Sequence, residues 1–194
     1  MTVYRSPLRP LSADSARPES AARLSEVEAQ MGQIPNMYAN MANSPGLFNS
    51  YLDGYASFRK LSGFSAVQQE VIFLTISRYF ECEYCMAAHS TIADKVSKVP
   101  TEVTDAIRND TQIPDEGLAA VADLTKDLLE SNGRPSTVTV EKFTAAGFTH
   151  EQVLDVVHAI SVKILSNWTN HLLGTEIDSR FTAREWSAPT AIRD

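Results

Sequence analysis

Apolar residues recur three and four positions apart along most of the chain, as at Leu47, Tyr51, Tyr55 and Phe58, and this spacing predicts amphipathic helices. Ile34-Pro35-Asn36 and Asn43-Ser44-Pro45-Gly46 punctuate the pattern between helices. Strict alternation is weak throughout. Its best stretch, Thr137-Val138-Thr139-Val140, is short, isolated and runs directly into a further helical pattern. The expected fold class is therefore all-α. Residues 1–20 carry Pro7, Pro10 and Pro18 without apolar periodicity, so they read as an extended N-terminal arm lying over a neighbouring surface, ahead of a single helical domain over residues 21–194.

Two stretches share one phrase, Gly63-Phe64-Ser65-Ala66-Val67-Gln68 and Gly147-Phe148-Thr149-His150-Glu151-Gln152. In each, a hydroxyl residue is followed three positions later by glutamine, which is the capping-box signature of a helix start. The register continues through Ile72/Val156, Ile76/Ile160, Ser77/Ser161 and Tyr84/Trp168. An internal repeat of a helical unit, over about residues 63–95 and 147–179, is the reading, with the two long helices packed together. Only the first unit contains cysteines.

Of the 194 residues, 43% are hydrophobic and 21% charged, which suits a folded chain long enough to need neither disulfides nor a structural metal. A formal charge of -7, from 17 Lys+Arg against 24 Asp+Glu, leaves no cationic footprint for nucleic acid or an anionic membrane. No apolar run approaches the roughly 18 to 20 residues needed to span a bilayer, and the first residues lack the apolar stretch of a signal peptide. A cytoplasmic location is expected. In that reducing compartment a close cysteine pair points to catalysis or metal binding.

The chemistry concentrates at Glu81-Cys82-Glu83-Tyr84-Cys85-Met86-Ala87-Ala88-His89. A helix beginning near Glu83 would put Cys82 at its N-terminal edge, Cys85 in its first turn and His89 on the Cys85 face one turn on. A helix N-terminus and a nearby imidazole both favour thiolate over thiol. A peroxide attacked by one sulfur would leave a sulfenic acid, and the second could condense with it. Upstream, the helix from about Ala66 is apolar nearly all round and should be buried, carrying Glu70 with it. Burial without a cation would raise that carboxyl toward neutrality and suit it to proton transfer; as the alternative, Glu70 is an anion stabilised near a helix N-terminus.

Other readings stand beside these. Cys82, Cys85 and His89 could be zinc ligands, the fourth coming from another histidine, a carboxylate or water. The cysteines could equally be small buried apolar residues. A thioredoxin fold fits poorly, because the segment before Cys82 is a capped helix and not a strand.

Glu70, then Cys82-x-x-Cys85 and x-x-x-His89, resembles the motif of the alkylhydroperoxidase AhpD and carboxymuconolactone decarboxylase superfamily, in particular its peroxidase-related branch. Gly32-Gln33-Ile34-Pro35-Asn36-Met37-Tyr38 and Asn167-Trp168-Thr169-Asn170-His171 are similar to further segments of that branch. The resemblance implies an AhpD-like bundle of duplicated helical units that assembles as a homo-oligomer, a trimer or hexamer. It implies a cofactor-free thiol peroxidase, with no metal, that takes a hydroperoxide and is recycled by a lipoyl-bearing or thioredoxin-like dithiol. Carried over residue by residue, Cys85 would be the peroxidatic thiolate, Cys82 the proton donor and resolving thiol, and Glu70 and His89 the proton relay. Tyr84 stands where well-studied members have a histidine. Tyr84, Trp168 and His171 are candidate substrate-binding residues. The superfamily's decarboxylases lack the cysteine pair, so its presence argues for redox chemistry over decarboxylation; carbon-acid chemistry on a lactone or β-keto acid, with Glu70 or His89 moving the proton, is a further alternative.

Overall fold

The computed structural model describes residues 3–189, so residues 1–2 of the expected arm and 190–194 of the expected domain lie outside it. Among the described residues there are helices and no strands. They are α1 (Pro18–Met31), α2 (Asn36–Met41), α3 (Pro45–Leu61), α4 (Ala66–Tyr79), α5 (Glu83–Ile92), α6 (Thr101–Asn109), α7 (Glu116–Glu130), α8 (Thr137–Ala145) and α9 (His150–Leu173), with a π turn at Ala93–Ser97 and a 3₁₀ segment at Ser179–Arg184. The Thr137–Val140 stretch is the first turn of α8, capped by Ser136. A local side-chain cap there overrides the β-branched preference of the segment.

Segment 3–12 has no regular secondary structure, residues 13–16 form a turn closed by Ala16 N–H on Ser12 C=O at 3.0 Å, and α1 begins at Pro18, inside the expected arm. Proline is favoured in the first turn of a helix because its missing N–H is unneeded there. The arm lies on its own chain: Ser6 N–H donates to Leu172 C=O at 2.8 Å and Leu11 N–H to Ala39 C=O at 2.9 Å.

Both repeated phrases start helices through complete capping boxes, Ser65 with Gln68 and Thr149 with Gln152. Gly63 (φ 70°) and Gly147 (φ 96°) both adopt left-handed backbone just before them, a conformation that costs glycine little. Phe64 and Phe148 meet with ring centroids 5.8 Å apart, and Phe143 packs on both. Helix α4 is the centre of the protein, buried from Gln69 through Ser77 and packed against α5, α6, α7 and α9. Helix α9 packs across α3 and α4. It comes so close to Gly54 that a Cβ there would sit 2.9 Å from Val162 Cγ2, so α3 needs a residue without a side chain at that crossing.

Candidate functional site

The break between α4 and α5 creates the site. Helix α4 ends at Tyr79, Glu81 takes a left-handed backbone (φ 54°), and Cys82 N–H closes the turn on Ser77 C=O at 3.0 Å. Cys82 is thereby the N-cap of α5, its Sγ accepting from Cys85 N–H at 3.4 Å. Both cysteines are free and buried. Asn170, from α9, points its amide nitrogen at both sulfurs, 3.3 Å from Cys85 Sγ and 3.7 Å from Cys82 Sγ. Burial opposes ionisation of Cys85, but the Cys82 thiol, the Lys163 ammonium and the Asn170 amide together outweigh it and bring its pKa down to about 6. Burial and the neighbouring sulfur push Cys82 the other way. The pair is thus asymmetric, with Cys85 the sulfur that ionises.

Lys163 is 1% exposed, and its Nζ lies 5.7 Å from the centroid of Phe73. No ion pair joins it to a carboxylate among the described residues, and its charge favours ionisation of Cys85. A buried lysine facing a thiolate satisfies both charges, whereas either alone would carry a large desolvation cost.

Glu70 is wholly buried on α4. Its Oε2 meets His89 Nδ1 at 2.8 Å, and its Oε1 accepts from the Arg59 guanidinium of α3. Arg59 also donates to Tyr55 Oη at 2.6 Å and Gln69 Oε1 at 3.1 Å. Against the desolvation of burial, His89 and Arg59 hold the Glu70 carboxyl below its ordinary pKa. Burial and the Lys163 charge depress His89 to about 4 despite Glu70. At neutral pH the arrangement is an ionised Glu70 and a neutral His89. The carboxylate then requires the proton on Nδ1, which leaves Nε2 as the acceptor nitrogen.

A cavity of about 500 Å³ adjoins this centre, lined in part by Tyr38, Tyr51, Tyr55, Tyr84, Ala88 and His89. Neither cysteine is among its lining residues, while Tyr84, Ala88 and His89 of the same helix are. Tyr84 is buried and donates to Asp178 Oδ2 at 2.5 Å, which locks the ring in the cavity wall.

No protein-family model matches the chain, and no curated protein matches it in sequence. Solved structures do match it in shape. An alkylhydroperoxidase AhpD core from Ralstonia eutropha JMP134, a peroxidase-related protein, superposes with a TM-score of 0.77 at 23% identity, over 93% of this chain and 95% of that one. A peroxidase-related protein from Silicibacter sp. TM1040 gives 0.76 at 17% identity, over 95% of this chain and 98% of that one. The chain has the AhpD-like fold. The same fold is shared with a cysteine-to-alanine variant of the debrominase Bmp8 in complex with 2,3,4-tribromopyrrole, at TM-score 0.71 and 16% identity, over 93% of this chain and 96% of that one, so AhpD-like proteins carry more than one activity.

Several expectations change in this AhpD-like chain. Glu70 is not buried without a cation: Arg59, eleven residues upstream on another helix, keeps it ionised. The cation beside Cys85 is Lys163 and not an imidazolium, because His89 is neutral and bonded to Glu70. Cys82, Cys85 and His89 do not form a zinc site; among the described residues no three His, Cys, Asp or Glu side chains are grouped to hold a metal. Trp168 is 52% exposed and His171 is exposed, and neither lines the cavity. They fall on the outer side of α9, because the helix turns Asn167, Thr169 and Asn170 inward. The neighbour that matters in that segment is Asn170. Lys163 and Arg59 had a sequence signal of one kind, a lysine inside the apolar stretch Ala159–Leu165 and an arginine one turn beyond Tyr55, but nothing local says which anion either one meets. No described helix is long and apolar enough to cross a membrane.

Proposed function

We propose that the chain is a thiol peroxidase in which Cys85 is the attacking sulfur and Cys82 the proton donor and resolving thiol. The observation that carries this reading is the convergence of Lys163 and Asn170 on Cys85, which favours a thiolate at neutral pH. The thiolate attacks the terminal oxygen of a hydroperoxide, the O–O bond breaks, and the departing alkoxide takes the Cys82 proton and leaves as an alcohol. Cys85 is then a sulfenic acid. The Cys82 thiolate displaces its hydroxyl group, which leaves as water after taking up a proton, and a Cys82–Cys85 disulfide remains. A dithiol of the lipoyl-bearing or thioredoxin-like kind returns both thiols by exchange. His89 accepts and returns protons at Nε2, with Glu70 holding its tautomer and Arg59 holding Glu70.

Titration of free thiols before and after one equivalent of hydroperoxide tests the reading. Two thiols should fall to none in the wild type, and Cys85→Ser should keep its remaining thiol and lose turnover. If both thiols stay free, the proposal fails. The debrominase neighbour and the four cavity tyrosines favour a second reading, in which the same dithiol supplies two electrons to a halogenated aromatic ring, releasing halide and forming the same disulfide. Halide release without peroxide would support it. Activity that survives loss of both cysteines would instead favour carbon-acid chemistry at His89.

We further propose that the chain forms a homo-oligomer through α9. Leu154, Val157, Trp168 and Leu172 are each at least 44% exposed and fall within one narrow arc of that helix. Sedimentation of wild type and of a Trp168→Glu, Leu172→Glu double variant checks this, the variant being expected as the monomer.

A further inference from the structure

The cavity beside His89 holds a charge that the peroxide chemistry does not use. Its walls are aromatic: Tyr51 stacks on Tyr55 at 5.8 Å, Tyr38 meets Tyr51 edge-on at 5.8 Å, and Phe181 meets Tyr84 edge-on at 6.1 Å. Two arginines also line it. Arg23 is committed, to Asp53 at 2.5 Å and Glu26 at 3.6 Å, and these two acids are the carboxylates of the cavity lining. Arg180 is different. Its guanidinium carbon lies 4.7 Å from the Phe181 ring centroid, its charge acts on the Tyr38 hydroxyl, and its Nε is buried without a hydrogen-bond partner. Among the described residues it makes no ion pair with any carboxylate.

A buried guanidinium N–H without an acceptor is costly, and a fork of N–H donors stacked on a ring is a preorganised receptor for a carboxylate. Aromatic walls around a pocket of about 500 Å³ suit a flat apolar body of small-molecule size. We propose that this cavity binds an aryl carboxylate, with the ring against the tyrosine wall and the carboxylate on Arg180. Binding of such an acid stands independently of the redox chemistry. Where the peroxidase reading holds, the inference deepens it and, resting on that reading, makes the substrate an aryl hydroperoxide that carries a carboxylate at the end remote from its O–O bond.

Calorimetric titration with 3-phenylpropionate and with the neutral 3-phenyl-1-propanol, at pH 7 and without peroxide, tests the site. The acid should bind about tenfold or more tightly than the alcohol, the scale of one charge-assisted contact. Arg180→Gln should erase that preference while the alcohol binds as before, Arg180→Lys should restore part of it, and Lys60→Gln, a charge removed from the exposed end of α3, should leave it intact. Equal binding of acid and alcohol to the wild type, no binding of either, or an acid preference that survives Arg180→Gln would each overturn the proposal. A protein that binds the acid but keeps both thiols after peroxide would retain this inference and lose the peroxidase reading.

Discussion

Helices α4 and α9 both follow a left-handed glycine, a phenylalanine and a hydroxyl cap, yet α4 stops at Tyr79 whereas α9 runs on to Leu173. The stop gives the first unit a second helix N-terminus, with Cys82 on it and Cys85 in its first turn. At the matching places in α9 stand Ser166 and Thr169, whose hydroxyls bond back to Lys163 C=O and Leu165 C=O inside the helix. Similar starts therefore lead to different chemistry. A helix end exposes unsatisfied N–H groups and a positive partial charge, and a helix middle exposes neither. The uninterrupted helix contributes in another way, since it is stiff enough to deliver Lys163 and Asn170 to the sulfurs of its counterpart.

The sharpest way to break this division of labour is at the carboxylate of the first unit. Glu70→Gln should slow hydroperoxide consumption by roughly 10²-fold, the scale of a positioned proton-transfer group, with the helical circular dichroism spectrum unchanged; a loss below about threefold would mean that Glu70 is only a structural anion. Next comes the contribution of α9. Reactivity of Cys85 toward iodoacetamide should rise with pH through about 6 and then level off. In Lys163→Met the inflection should move upward by at least about one unit, so that the rate at pH 6 falls roughly fivefold or more. An unmoved inflection would assign the low pKa to Cys82, Asn170 and the helix end without Lys163.

Acid stability probes the buried pair between α4 and α5. The folded pKa of His89, near 4, lies below its ordinary value of 6.5, so the unfolded chain binds the extra proton first. The stability it contributes is complete above about pH 6.5 and drains away as the pH falls toward 4. Denaturant titrations across that window should show a loss on the order of 2 kcal/mol, diminished in His89→Gln; an equal loss in the variant would place the acid-sensitive group elsewhere. The smallest effect tests the likeness itself. Ser65→Ala and Thr149→Ala should each cost about 1 kcal/mol in the same assay, because both remove the side-chain acceptor of a capping box.

The all-α class, the two capped starts and the α5 boundary at Cys82 were legible because each depends on residues within one or two helical turns. The exposed position of Trp168 was not. A likeness in register says which residues correspond, but the inward face of α9 is chosen by its packing on α3 and α4, and that packing turns Asn170 in and Trp168 out. The choice between the two readings of Glu70 rests on the fold for a related reason. Burial could be read from the apolar run around it, but the sign of its pKa shift depends on Arg59, which reaches it from another helix.

Local pattern alone specifies the two capped helix starts and the α5 boundary, and hence that two thiols and an imidazole share the first turns of one helix. Local hydrogen bonding and side-chain periodicity act over a few residues, so a linear pattern suffices to specify them. Which charges meet was set by tertiary packing: Lys163 and Asn170 with the sulfurs, Arg59 with Glu70, and Arg180 at the cavity in no ion pair among the described residues. Those pairings join side chains on different helices, and in a buried site the protonation state of each group follows from the neighbour it acquires there.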